Sequence, residues 1–540
     1  MYKAVLSGAF RGLDSFLVQV ETDMSDGLPC MEMIGYLANE VKESRDRVRV
    51  GIRNSGFQLP VKRITISLTP ADIRKDGSGF DLPVAIGILS VTELIEKPGE
   101  KCASGEESME NAARLRFEQE TLVIGELGLD GEVKPVKGVL PILLKAAESG
   151  VKNCILPQGN VKEAQNVKAI RLFPVSHLRQ AYEIYASGGR MGTFSAEEEP
   201  DAMPKRANEE KIKTAETEGE RPDFSQICGQ QQARRAAEVA AAGFHNLLLF
   251  GPPGSGKSMI AERVPTILPQ MTYEECLEVT QIYSVAGLLD AGTGLITRRP
   301  FERPHHTITP AALTGGGAIP MPGAITMAHK GVLFLDELPE FGREKLDLLR
   351  QPLEEKKIRI VRNQYACDYK CDFMFVAAMN PCPCGYYPDR NRCNCREQEV
   401  SRYLKRVSGP ILDRMDISVE VGRVEWSQLT DAHKYESSAE IQRRVEKAQK
   451  IQLARQGKFN SALSGDEMDR LVVMDEAAAQ LLQRVFDTKG LSVRGYQRIR
   501  KLARTIADLA GKESITRAEV AEAVMLNQGL EYLTVKKGDL

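Results

Sequence analysis

Eight consecutive residues, Gly251-Pro252-Pro253-Gly254-Ser255-Gly256-Lys257-Ser258, constrain this 540-residue chain more than any other stretch. They follow an apolar run, Leu247 to Phe250, and lead into helix-compatible sequence, the strand-loop-helix context of a phosphate-binding loop. Glycines let the backbone bend so that its N–H groups converge on phosphate oxygens. Lys257 can then reach the β and γ phosphates, and the Ser258 hydroxyl can hold Mg²⁺. The expected ligand is ATP with Mg²⁺.

Further pieces follow in chain order. Gly331-Val-Leu-Phe-Leu-Asp336-Glu337 is an apolar run too short for a typical helix, closed by two carboxylates. Asp336 is placed to hold Mg²⁺ beside Ser258, and Glu337 to polarise the water that attacks the γ-phosphate. A third apolar run, Phe373 to Ala378, ends at Asn380, a candidate contact to that water or phosphate. Phosphoryl transfer spreads negative charge over the equatorial oxygens, which an arginine from a neighbouring subunit can offset. Arg414, in Leu412-Asp-Arg-Met415, and Arg494, in Leu491-Ser-Val-Arg494, are both candidates, and the residues alone do not choose between them.

These pieces resemble the AAA+ ATPases of the magnesium-chelatase-like branch, and more closely the ComM/YifB group. The likeness runs over nearly the whole chain. It includes Asp26-Gly-Leu-Pro29, Val41-Lys-Glu-Ser-Arg-Asp-Arg-Val48, Leu68-Thr-Pro-Ala-Asp-Ile-Arg-Lys-Asp-Gly-Ser-Gly-Phe-Asp-Leu-Pro83, Pro304-His-His306, Val332-Leu-Phe-Leu-Asp-Glu-Leu-Pro-Glu-Phe341, Ala378-Met-Asn-Pro381 and Ala503-Arg-Thr-Ile-Ala-Asp-Leu509. The resemblance implies that Arg414 serves as a finger reaching a neighbour's nucleotide and Arg494 as a second sensor before a lid helix. It also implies a homo-oligomeric ring, usually a hexamer, and a motor that moves DNA strands, with branch migration in recombination or natural transformation as its sharpest form. Met415 stands where an aromatic residue is more usual, a change that bears on packing more than on chemistry.

The N-terminal part resembles a Lon-protease-like, ribosomal S5 domain 2-like α+β domain. Strand-like runs Ile64 to Leu68 and Thr121 to Ile124 alternate with helix-like segments Ala38 to Asn54 and Pro83 to Leu94. Such a protease needs a serine activated by a lysine. Alignment of its motifs puts Gly79 at the serine position, with Ser78 one place early, and Leu140 at the lysine position, so a noncatalytic scaffold is expected. Ser78 with Lys137 remains as a rearranged dyad.

The domain reading is therefore a Lon-like domain over 1–192, a charged linker over 193–222, a P-loop AAA+ α/β core over 223–425 and a C-terminal helical lid over 426–540. A chain of this length exceeds one core. The linker carries Glu197-Glu-Glu-Pro200 and Glu209-Glu-Lys-Ile-Lys213, too polar to build a core. A charged insertion spans about Gly99 to Glu118. Capping boxes at Ser464/Glu467 and Thr516/Glu519 start lid helices, and Ile499, Leu502, Ala503, Ile506, Leu509 and Ala510 recur at helical spacing as core.

Charge is balanced, 72 basic against 74 acidic residues, so a nucleic-acid surface must be local. No apolar stretch reaches membrane-span length and no secretory signal opens the chain, which points to the cytoplasm with no membrane partner. In a reducing compartment the eleven cysteines do not read as a disulfide framework. Cys382, Cys384, Cys393 and Cys395, in the loop 382–395, form a compact set suited to tetrahedral Zn²⁺, although Cys-x-Cys is tighter than the familiar knuckle. Cys367 and Cys371 read as ordinary residues or substitute ligands. The same loop carries Tyr386, Tyr387, Arg390 and Arg392. Upstream, Lys356-Lys-Ile-Arg-Ile-Val-Arg362 alternates basic and apolar residues, making Lys357, Arg359 and Arg362 candidate DNA-phosphate contacts or one solvated face of a hairpin. His305 and His306 lack companion ligands and read as structural or strand-contacting. Three functional classes stay open: a DNA translocase or helicase, a protein-remodelling ATPase and a chelatase-type motor.

Overall fold

The computed structural model describes residues 2–96, 105–191, 222–290, 293–317, 320–362, 365–424 and 435–527. The stretch read as a linker lies outside them apart from its last residue, as do residues 97–104 before the helix Gly105–Gln119. The chain forms two compact units, one of Met1–Ala215 with Tyr273–Ile296 and one of Glu216–Thr272 with Thr297–Leu540.

In the first unit, seven strands form a mixed sheet in the order Cys30–Ile34, Arg63–Thr69, Asp14–Ser25, Tyr2–Arg11, Thr121–Val123, Asn153–Pro157, Arg171–Val175. Alternation along the first hairpin sends Val5, Val18 and Val20 into one apolar cluster and Leu6, Phe10 and Leu17 into another, as a period of two requires when both faces are covered. Helices Asn39–Asn54 and Asp81–Glu96 build the first cluster, and helix Val139–Glu148 the second. Each fully buried aliphatic side chain contributes about 1.5–3 kcal/mol. Helix Tyr273–Ala286 belongs to this unit although its sequence lies between the phosphate loop and Asp336. Leu277 packs on the second cluster, Ser284 Oγ donates to Glu163 at 2.8 Å, and Asn166 Nδ2 donates to the Gly294 carbonyl at 2.9 Å.

Ser78 donates to the Glu126 carboxylate, and Leu140 is fully buried. Lys137 lines a cavity of about 180 Å³ with Asn160, Glu163 and Ser284. Among the described residues no hydrogen bond joins Ser78 to Lys137.

The second unit contains a five-stranded, wholly parallel sheet ordered Phe301–Glu302, Val332–Leu335, Met374–Met379, Leu247–Phe250, Ile417–Glu420. Its three central strands are buried along their whole length, which is why they read as unbroken apolar runs. In chain order the sheet runs second, third, fourth, first, fifth, so the first strand's end lies beside the fourth's. That is the crevice where α/β sheets bind ligands.

The C-terminal helices Ser438–Gln456, Glu476–Lys489, Val493–Leu509 and Arg517–Met525 share the core of this unit. Both expected capping boxes are formed: Glu467 accepts from the Ser464 N–H at 2.7 Å and Glu519 from the Thr516 N–H at 2.8 Å. Ile499, Leu502, Ala503 and Ile506 are buried. Ala510 departs from the expected stripe: it is the C-cap, where the helix ends, and is exposed. His245 ties helix to sheet, with Nε2 at 2.8 Å from Thr505 Oγ1 and Nδ1 at 3.2 Å from Asp416 Oδ2. Among the described residues no helix is long and apolar enough to cross a membrane.

Candidate functional site

The phosphate loop leaves the Leu247–Phe250 strand and enters helix Lys257–Ile267. Gly256, the N-cap, has φ +93°, a left-handed backbone that an L side chain rarely adopts. Lys257 is buried beneath the loop it follows: its ammonium donates to the Gly251 carbonyl at 2.9 Å, the Pro252 carbonyl at 2.8 Å and Asn380 Oδ1 at 3.2 Å. Burial lowers its pKa to about 8 against the pull of Asp336 and Glu337. Ser258 Oγ donates to Asp336 Oδ2 at 2.8 Å. Residues 251–258, Asp336 and Asn380 thus converge from the ends of three adjacent strands. A hydroxyl and a carboxylate oxygen in contact, beside a strong phosphate-seeking cation, are a donor set that fits Mg²⁺ with nucleotide.

Glu337 follows with φ +52° and ψ +49°, a left-handed conformation that costs a non-glycine residue about 1 kcal/mol or more. Its carboxylate is largely exposed, with His306 Nδ1 3.9 Å away. His305 and His306 lie ring against ring at 4.1 Å, and His305 Nδ1 is 2.8 Å from Thr307 Oγ1. Neither histidine belongs to a metal-ligand group among the described residues.

Asp413, next to Arg414 in the chain, also faces the second arginine candidate, Arg494. Arg414 is held by its own chain: it pairs with Glu354 and donates to the Pro410 carbonyl at 2.6 Å. Arg494, in the first turn of helix Val493–Leu509, is 66% exposed with NH1 3.7 Å from Asp413 Oδ2. Arg498 donates to the Asp413 carbonyl at 2.7 Å.

Four thiols, Cys382, Cys384, Cys393 and Cys395, lie with all sulfurs within 4.8 Å of one another. Cys367 and Cys371 are buried and outside this group. Backbone N–H groups of Gly385 and Tyr387 donate to Cys382 Sγ at 3.2 and 3.4 Å, the support a metal thiolate needs. Burial raises Cys395 to about 12, whereas for Cys384 hydrogen bonds from the Tyr386 backbone and the other thiols outweigh burial and bring it down to about 7. The set fits tetrahedral Zn²⁺. Arg392 and Arg423 both stack on Tyr386, at 5.0 and 5.3 Å from the ring centroid.

Strand Lys357–Arg362 pairs antiparallel with Tyr365–Lys370. Ile358, Ile360, Cys367 and Tyr369 are buried, and Lys357 and Arg359 face solvent. Arg359 is not a free cation, because Asp368 lies directly across the hairpin at 3.6 Å. The Arg362 side chain lies outside the described residues.

Arg303 is a site residue that motif reading missed. Its guanidinium joins Asp336 Oδ2 at 2.8 Å and Glu262 Oε1 at 2.5 Å. The available signals were an arginine directly after the short Phe301–Glu302 strand and an acid four residues past Ser258 on the same helix.

Sheet order, phosphate loop and strand-end carboxylates define an AAA+ core of the magnesium-chelatase type. Family profiles agree: "Magnesium chelatase, subunit ChlI" matches residues 223–429, "Subunit ChlI of Mg-chelatase" matches 20–160, and "Magnesium chelatase, subunit ChlI C-terminal" matches 435–527. The chain belongs to the ComM/YifB family of magnesium-chelatase-like proteins. It is 38% identical over 523 residues to the competence protein ComM of Haemophilus influenzae, covering 96% of each chain. It is 38% identical over 517 residues to YifB of Escherichia coli, covering 96% of this chain and 95% of that one. A shorter similarity, 29% over 148 residues, links it to Lon protease 2 of Bacillus subtilis, covering 25% of this chain and 26% of that protein.

Proposed function

We propose that this protein is an ATP-hydrolysing, ring-forming motor that acts on DNA, its sharpest role being branch migration during homologous recombination or natural transformation. The observation that carries the ATPase reading is the convergence of Lys257, Ser258, Asp336 and Asn380 at adjacent strand ends. The similarity to a protein named for competence supports DNA as the substrate. The ring, a hexamer in this reading, works in the cytoplasm.

In this reading Lys257 and the loop amides bind the phosphates, and Ser258 and Asp336 hold Mg²⁺, which neutralises phosphate charge. Glu337 orients the attacking water, and Asn380 holds the γ-phosphate end of the site. Arg414 leaves Glu354 to reach a neighbour's nucleotide when protomers assemble, and Arg494 senses the nucleotide from the lid helix. Cys382, Cys384, Cys393 and Cys395 hold a structural Zn²⁺, while Lys357, Arg359 and Arg362 meet DNA phosphates. The N-terminal unit acts as a noncatalytic scaffold, a reading supported by Leu140 at the lysine position and by Ser78 bound to Glu126.

The similarity to Lon proteases gives protein remodelling as the second reading. Turnover separates the two. Single-stranded or branched DNA raises ATP hydrolysis if DNA is the substrate, whereas stimulation by an unfolded protein and not by DNA overturns the DNA reading.

A further inference from the structure

Asp336 Oδ2 takes two hydrogen bonds of equal length, from Ser258 Oγ at 2.8 Å and from the Arg303 guanidinium at 2.8 Å. Another nitrogen of that guanidinium pairs with Glu262, which shares a face of helix Lys257–Ile267 with Ser258. The planar fork therefore bridges the phosphate-loop helix and the Asp336 strand end. It also rests 5.4 Å from the ring centroid of Phe334, on that same strand. Positive charge thus sits on the same Asp336 oxygen that Ser258 contacts, the oxygen to which the ATPase reading assigns Mg²⁺. Ser258 and the guanidinium together occupy the two lone pairs of that carboxylate oxygen, so a cation that binds it must displace one of them.

We propose that Arg303 is a built-in cation that occupies the Mg²⁺ corner of the nucleotide-free site, holds Asp336 toward Ser258, and is displaced when nucleotide brings its metal. The inference rests on the ATP and Mg²⁺ reading above. Glu262, Asp336 and Glu337 gather negative charge on this side of the site, and an internal cation offsets their repulsion until metal arrives. With that charge already offset, metal alone meets a weak site, so metal binding follows nucleotide. Arg303 is 43% exposed, which lets the exchange proceed without opening the core.

The test uses Mn²⁺ as the probe, read by loss of the electron paramagnetic resonance signal of the free aqua ion. The full-length chain is titrated with and without a non-hydrolysable ATP analogue. Arg303→Gln should bind Mn²⁺ about two- to fivefold tighter, the range expected for removing a partly exposed competing ion pair. Arg303→Lys, which keeps charge but loses the fork, should fall between wild type and Gln. General damage to the site would weaken metal binding, so the sign separates competition from structure. Equal or weaker Mn²⁺ binding by Arg303→Gln at wild-type melting temperature overturns the proposal. If Arg303→Gln fails to fold, Arg303→Lys decides, and unchanged affinity overturns it. A wild type that binds neither analogue nor Mn²⁺ overturns the nucleotide reading as well.

Discussion

Gly385 of the four-cysteine loop lies so close to the phosphate loop that a Cβ there would stand 2.4 Å from Pro253 Cδ, and its φ of +84° is one that glycine tolerates best. Asn380 lies two residues before Cys382 and Gly385 directly after Cys384, so the first pair of thiols is flanked along the chain by a site residue and by the phosphate-loop buttress.

Zinc content and nucleotide affinity should therefore be linked. Freshly purified protein should carry close to one zinc per chain, and stripping it should weaken binding of a fluorescent ATP analogue. Gly385→Ala should do the same with zinc retained, by about fivefold, the equivalent of roughly 1 kcal/mol of local strain. Analogue affinity that survives both changes would sever this link.

The buried ammonium of Lys257 predicts a pH dependence. Its pKa is lowered to about 8, so the unfolded chain holds the extra proton between about pH 8 and the usual lysine value of 10.5. Stability contributed by this group accordingly rises across that window, and below it the buried charge is a constant cost. Phosphates favour the ammonium, so above about pH 8 analogue binding takes up a proton and affinity falls by up to about tenfold per pH unit. Calorimetric titrations near pH 8.5 in buffers of different ionisation enthalpy should show the uptake, and Lys257→Arg should abolish it.

Much of this architecture was legible in the chain because parallel strands buried on both faces read as apolar runs. Leu247–Phe250 stood out with its observed bounds, Val332–Leu335 within the run from Gly331, and Met374–Met379 as the run Phe373 to Ala378, and both capping boxes were visible as Ser/Thr-x-x-Glu. What sequence did not reveal depends on tertiary contact. Arg303 meets Asp336 across 33 positions and Glu262 across 41, so the local signals on each partner, an arginine after a short strand and an acid on the phosphate-loop helix, did not join them. Helix Tyr273–Ala286 carries no sequence marker of the unit it joins, and it is contacts such as those of Leu277, Ser284 and Tyr273 that assign it to the first unit. Asp368 opposite Arg359 follows from hairpin register, which a basic stripe alone does not specify.

The helix Val493–Leu509 should depend on one buried carboxylate. Asp508 accepts from Arg455 at 2.7 and 2.9 Å, from Arg504 at 2.9 Å and from Asn460 at 2.8 Å, with its side chain fully buried. Asp508→Leu leaves two guanidinium groups without their anion and should cost about 3–5 kcal/mol in urea unfolding. A loss below about 1 kcal/mol would show that the network relaxes onto other partners.

Salt dependence of DNA binding tests the hairpin. If Lys357 meets a phosphate, Lys357→Ala should flatten the slope of log affinity against log salt by about 0.7–0.9. Arg359→Ala should flatten it by less, because Asp368 already offsets part of its charge. An unchanged slope in both would assign this face to solvent.

The central claim, ATP cleavage at a pocket completed by the neighbouring protomer, is tested most directly by mixing two inactive variants. Lys257→Ala removes the phosphate contact and Arg414→Ala the finger, so neither alone should hydrolyse ATP. In an equal, freely exchanging mixture, about a quarter of the interfaces pair an intact Lys257 with an intact Arg414, and turnover should recover to roughly that fraction of wild type. A mixed assembly that stays inactive, or Arg414→Ala that hydrolyses ATP normally, would contradict the account.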